Sequence, residues 1–135
     1  MKTTVVVLDR FRVESEKIAE FLDAELVPYS DHVFADLYGT AETIVAVMSA
    51  GIAVRGCAPH LSDKWHDPAV VVVTPDLRYA VPVLGGHHGG NICAKRLAEL
   101  GIEPVISTAT ETKGRPSVEE IARTGGLTVV NRSST

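Results

Sequence analysis

The hydrophobic positions of this chain fall into short unbroken runs, separated by stretches in which apolar residues recur at helical spacing. Thr4 to Leu8, Thr43 to Met48, Ala69 to Thr74 and Tyr79 to Leu84 are rich in β-branched residues and show no polar alternation. That pattern predicts strands buried on both faces. Glu25 to Val27, Glu103 to Ile106 and Leu127 to Val130 read as shorter strands, the first closed by Pro28. Val13 to Leu22 sets Val13, Ile18, Phe21 and Leu22 among charges, which predicts an amphipathic helix. Val33 to Tyr38 reads as a short helix or turn, and Ile52 to His60 as a short helix ended near Pro59. Asn91 to Leu100 reads as a helix stopped by Gly101. Pro116 opens a last helix with Glu119 and Glu120 in its first turns, and Thr124-Gly125-Gly126 stops it. Leu61 to Pro68 is a polar loop and Asn131 to Thr135 a polar tail.

Buried strands alternating with helices predict one α/β domain over residues 1–135, a three-layer α/β/α sandwich with a mainly parallel sheet. The connection at Pro75-Asp76 is too short for a crossover helix, so the strands it joins should form an antiparallel hairpin and make the sheet mixed. Ligands of such sheets bind beyond the carboxyl ends of the strands, which nominates the turns after Met48, Thr74, Leu84 and Ile106. A reversed hairpin strand would put the turns after Thr74 and Leu84 at opposite edges.

Composition narrows the function. The 135 residues suffice for a real core, and 13 basic against 17 acidic residues leave a net charge of −4. No basic patch or stripe suggests a nucleic-acid partner. The apolar run of the N-terminus ends at Asp9-Arg10, too short for a signal peptide, and no run approaches the roughly 20 apolar residues of a membrane helix. The expectation is a cytoplasmic protein that binds neither nucleic acid nor membrane. Cys57 and Cys93 lie in apolar helical contexts and are expected as buried thiols.

Four stretches carry candidate chemistry. Gly85-Gly86-His87-His88-Gly89-Gly90-Asn91 joins a strand to a helix, where glycines permit a tight turn and close backbone approach to a ligand. Backbone N–H groups at the following helix start would form an anion cradle, and two imidazoles would supply proton transfer near neutral pH. Of the two, His87 is expected to face the site and His88 to pack or orient. In the second stretch, Arg55 interrupts Gly51 to Pro59 and is either an exposed arginine or a fork at the carboxyl edge of the sheet, aimed at a carboxylate. In the third, Ser62 to Pro68, Lys64 would pair with an anion while Asp67 fixes the loop or a proton donor; otherwise this is a solvated loop with Trp65 as a lid. In the fourth, Thr108-Ala109-Thr110-Glu111, hydroxyls would bind substrate and Glu111 serve as a general base, unless these residues only cap a helix. His60, His66, Asp67, His87 and His88 lack any tight metal-ligand spacing, so no protein-held metal is expected. The glycine turn is neither GxGxxG nor a P-loop, which weakens a nucleotide- or phosphate-binding reading, and there is no GxSxG elbow.

Taken together, Gly51-Ile52-Ala53-Val54-Arg55, Asp63 to Val73, Gly86 to Asn91 and Val105 to Glu111 resemble, in order and spacing, the N-terminal part of the CbiG family, the cobalt-precorrin-5A hydrolases of anaerobic cobalamin (vitamin B12) synthesis. Asn91 directly follows Gly90 where that family has an intervening alanine, Glu111 replaces an aspartate, and His88 replaces a leucine. The resemblance implies hydrolytic opening of the ring-A lactone of a cobalt-bound corrinoid precursor, with a two-carbon unit leaving as acetaldehyde. It implies His87, His88 and Glu111 as catalytic groups. Substrate binding would fall to Arg55, Lys64, Asp67, Gly86, Gly89, Gly90, Asn91, Thr108 and Thr110. The expected cofactor is none, because the tetrapyrrole substrate carries the cobalt. The family usually has a further C-terminal domain, so the chain reads as a fragment or a stand-alone form, with a C-terminal CbiG-type domain or chain and a homodimer as expected protein partners. A non-catalytic module that holds the corrinoid precursor for such a partner is the alternative.

Overall fold

The computed structural model describes residues 2–109. By internal contacts the chain divides into two units, Met1–Val105 and Ile106–Thr135, and only residues 106–109 of the second are described. The helix expected from Pro116, the strand Leu127 to Val130, Thr110 and Glu111 lie outside the described residues.

The first unit is a six-stranded mixed sheet with helices on both faces, an α/β fold. Its elements run β1 (Thr3–Val7), α1 (Arg12–Leu22), β2 (Glu25–Pro28), α2 (Val33–Leu37), β3 (Thr43–Val47), α3 (Ala50–Cys57), β4 (Ala69–Val73), β5 (Tyr79–Leu84), α4 (Gly90–Arg96) and β6 (Glu103–Pro104), with short 3₁₀ turns at several junctions. The strand order is β2-β1-β3-β4-β5-β6. β1 to β4 are mutually parallel, β5 runs antiparallel to β4, and β6 follows β5. The Thr74 to Tyr79 turn that reverses the chain is closed by Thr74, whose backbone N–H donates to the Tyr79 carbonyl and whose Oγ1 accepts the Tyr79 N–H.

Alternate strand residues feed two cores. Val6, Ile44, Ala46, Met48, Val70 and Val72 pack with Val33, Phe34 and Leu37 of α2 and with Ala53 and Cys57 of α3. Val5, Val7, Val45, Val47, Val71 and Val73 are equally buried on the other face, where α1 covers β1 and α4 covers β4 and β5. Arg96 of α4 lies over the Phe21 ring of α1, which ties the two helices of that layer together. Each fully buried aliphatic side chain contributes roughly 1.5–3 kcal/mol, so the valine runs make the centre of the sheet a rigid platform for whatever its edges carry.

Three expected elements are shortened. The helix over 91–100 is α-helical only as Gly90–Arg96 and tightens to 3₁₀ over Leu97–Leu100. The strand over 103–106 forms a ladder only at Glu103 and Pro104, since proline brings no N–H to extend it. The helix expected over 52–60 is Ala50–Cys57, with Ala58–His60 turning as 3₁₀ through Pro59.

Candidate functional site

Reversal of β5 decides where the site forms. Leu84 pairs with Val70, so the carboxyl end of β5 lies beside the amino end of β4. The glycine turn therefore meets the 61–68 loop that delivers the chain to β4. The turns after Met48 and Thr74 end up at the opposite edge, as a reversed hairpin strand requires.

Gly85 takes a left-handed φ of 66°, and a Cβ there would lie 2.8 Å from the Ala69 Cα. The turn is thus pressed onto the start of β4. Gly90 is equally confined, its absent Cβ lying 3.0 Å from the Gly85 carbonyl oxygen. That carbonyl accepts the backbone N–H groups of His88 (2.9 Å) and Gly90 (3.1 Å), and the Gly89 carbonyl accepts that of Cys93. Two amides of the expected anion cradle, those of His88 and Gly90, are thus used in closing the turn. His87 and His88 are exposed, Gly86 and Gly89 half-buried, and Asn91 is buried in the first turn of α4.

The facing loop is stapled by Asp67. Its carboxylate accepts the Ser62 N–H (2.8 Å), the Ser62 hydroxyl (3.0 Å) and the Asp63 N–H (3.2 Å). Asp63 in turn accepts the Trp65 N–H (2.9 Å) and binds His66 Nδ1 at 2.6 Å. Both carboxyls are held below the usual aspartate range, Asp67 first by the Ser62 N–H and Asp63 first by the Trp65 N–H and then by His66. The Trp65 ring meets the His88 ring edge-on at 4.9 Å between centroids, and Lys64 Nζ lies 5.3 Å from the centre of the indole. The two loops thus clasp each other through an aromatic–imidazole contact. Beneath them opens a cleft of about 310 Å³, lined by residues of the loop (Ser62, Asp63, Lys64 and Asp67 among them) and by Leu84 and Gly85.

Of the residues singled out from sequence, Lys64, Asp67 and the glycine turn are brought together. Asp67 fixes the loop, and His88 is the imidazole that packs. Arg55 is an exposed arginine, one of the two alternatives the sequence offers. It is exposed in the last turn of α3, a helix that starts just after β3 and runs about 12 Å. Thr108 belongs to the second unit. Sequence reasoning missed Asp63 and His66 as a pair and missed Trp65 as the partner of His88; the i, i+3 spacing of Asp63 and His66 was the available signal. Burial pushes the Cys93 thiol up to about 11 and raises that of Cys57, so neither is a ready nucleophile at neutral pH. Among the described residues no three His, Cys, Asp or Glu are grouped to hold a metal ion, and no helix is long and apolar enough to cross a membrane.

The Asp67 staple gives a pH prediction. Its pKa is depressed in the folded chain, so its support is complete above the unfolded aspartate value of about 3.9. That support is lost as pH falls through the lower folded value. Trp65 is the chain's single tryptophan, so its fluorescence should report the loop opening in that acid window. In Asp67→Asn the opened signal should already be present at neutral pH; a wild-type signal there would count against the staple.

Comparison with known proteins places this edge in context. The profile of the family described as cobalamin synthesis G N-terminal matches residues 32–111. The cobalt-precorrin-5A hydrolase of Salmonella typhimurium is 38% identical over 87 residues, which are 63% of this chain and 25% of that protein. The cobalt-precorrin-5A hydrolase of Priestia megaterium is 37% identical over 79 residues, 57% of this chain and 21% of that protein. The chain thus spans about a quarter of the length of these curated relatives. The crystal structure of a cobalamin biosynthesis protein G homologue from Sulfolobus solfataricus superposes with a TM-score of 0.67 at 25% identity, over 98% of this chain and 42% of that one. With the profile match running from α2 through the glycine turn, this chain belongs to the cobalamin synthesis G N-terminal family.

Proposed function

We propose that this chain takes part in opening the ring-A lactone of cobalt-precorrin-5A by hydrolysis, followed by loss of acetaldehyde. The observation that carries this reading is the cleft at one sheet edge, lined by Lys64 of the 61–68 loop and by Gly85, where that loop and the glycine turn, both within the family match, meet through the Trp65–His88 contact. A corrinoid precursor bears many acetate and propionate carboxylates. Lys64 is placed to hold one at the cleft, and Arg55 is an exposed cation for another. The volume is at the low end for ligand pockets, so the cleft takes an edge of the macrocycle and leaves the rest outside. His87 activates water for attack on the lactone carbonyl. Gly86, Gly89, Gly90 and Asn91 shape the turn. The cobalt belongs to the substrate, so the reaction asks for no protein-held cofactor.

Anaerobic incubation of the purified chain with cobalt-precorrin-5A tests this through acetaldehyde release. His87→Ala should lower the rate by roughly 100-fold or more, the usual contribution of a general base, with the thermal midpoint unchanged. A variant as fast as the parent would remove His87 from the mechanism. The second reading is a non-catalytic module that holds the tetrapyrrole without turning it over. Equal affinity for the lactone and its opened product, without turnover, would establish that one.

A further inference from the structure

Lactone opening moves two protons. One leaves the attacking water as its oxygen bonds to the carbonyl carbon, and one must reach the ring oxygen as its bond to that carbon breaks. His87 accounts for the first. We propose that His66, held by Asp63, delivers the second.

The geometry is that of an oriented acid. Asp63 Oδ2 lies 2.6 Å from His66 Nδ1, which commits the Nδ1 proton to the carboxylate and makes Nε2 the ring nitrogen available to a substrate. Asp63 is itself fixed, since its Oδ1 accepts the Trp65 N–H at 2.9 Å, and its carbonyl accepts the His66 N–H at 3.1 Å. Asp63 lines the cleft, and His66 is bonded to the carboxylate of that lining residue. The other charged or titratable groups that act on the pair are Asp67 from the same loop and His88 from the glycine turn, with Lys64 over the neighbouring Trp65 ring. The His66 side chain is 83% exposed, which lets solvent return a proton to Nε2 after each turnover.

The step balances. Water gives its proton to His87 and its oxygen to the carbonyl carbon, and the tetrahedral adduct collapses with cleavage of the ring C–O bond. The departing oxygen takes the Nε2 proton of the His66 imidazolium, and both imidazoles re-equilibrate with water. Acid and alcohol are formed with the net uptake of one water. Asp63 is a positioning residue here, offsetting the imidazolium charge.

This inference rests on the hydrolase reading, and the test separates the two. Acetaldehyde release is followed from pH 5 to pH 9 for the parent chain, His66→Gln, Asp63→Asn and Asp63→Glu, with nitrogen NMR of the His66 ring. The expected result is a rate about 100-fold lower in His66→Gln and loss of the alkaline fall in rate that a protonated acid imposes. Asp63→Asn should lose the Nδ1–H tautomer and lower the rate, and Asp63→Glu should restore part of both. A His66→Gln profile that keeps the parent's rate and alkaline limb overturns the role of His66 and leaves the hydrolase reading intact. A parent ring protonated at Nε2 and not Nδ1 in the neutral form overturns it as well. No release from the folded parent chain overturns the hydrolase reading and this inference with it.

Discussion

Gly85→Ala should lower the stability of the chain by roughly 2–5 kcal/mol. A left-handed backbone costs a residue with a Cβ about 1–2 kcal/mol, and Gly85 holds φ at 66°. The new methyl would also stand 2.8 Å from the Ala69 Cα and 3.1 Å from its Cβ. Ala69 is fully buried and paired in register with Thr43 of β3, so it cannot retreat. Overpacking of that kind adds roughly 1–3 kcal/mol. Gly101 provides the control, because it has φ 82° with open space where a Cβ would go. Gly101→Ala should therefore show the backbone cost alone. Urea denaturation of both variants separates strain from clash; equal losses would mean that the glycine turn is not pressed onto β4. The same substitution should loosen the Trp65–His88 contact, because the turn that carries His88 is anchored by the Gly85 carbonyl.

The readability of this architecture from sequence follows from its strands. Valine-rich runs without alternation at Thr3–Val7, Thr43–Val47 and Ala69–Val73 leave little but a sheet covered on both faces, and all three are buried strands of it. The antiparallel β5 was equally legible, because the four residues between Thr74 and Tyr79 leave no room for a crossover helix. Element ends were less so. The 3₁₀ turn at Leu97–Leu100 and the two-residue β6 depend on where tertiary contacts stop, which local spacing does not encode.

The site was legible as a set of segments more than as a set of contacts. Lys64, Asp67 and the glycine turn were singled out and do meet. The reason they meet, that β5 returns its carboxyl end to the amino end of β4, is a property of the sheet. Local spacing also does not announce that a turn this tight uses the His88 and Gly90 amides in closing on Gly85. Trp65 and His88 are 23 positions apart in the chain, and no periodicity announces an edge-on contact across two loops.

Gly56→Ala should cost roughly 1–2 kcal/mol, overpacking of about 1–3 kcal/mol outweighing the better helix propensity of alanine. Within α3 the exchange alone would gain up to about 1 kcal/mol. Against that, a Cβ at position 56 would stand 2.3 Å from Cδ2 and 2.7 Å from Cε2 of Phe34. Phe34 is buried with Val33, Leu37, Ala53 and Cys57, so its ring cannot swing aside without opening the layer formed by α2 and α3. The contact also bears on the site, since α3 leads through Ala58–His60 directly into the 61–68 loop. A displaced α3 should therefore shift Trp65 fluorescence along with the unfolding midpoint. Phe34→Leu alone removes ring volume and should be destabilising in its own right. In the double variant the two losses should not add, because the new methyl would occupy space the ring has vacated. A coupling energy of about 1 kcal/mol or more in that cycle is the expected result, and strict additivity would show that Gly56 is not what lets the two helices close on each other.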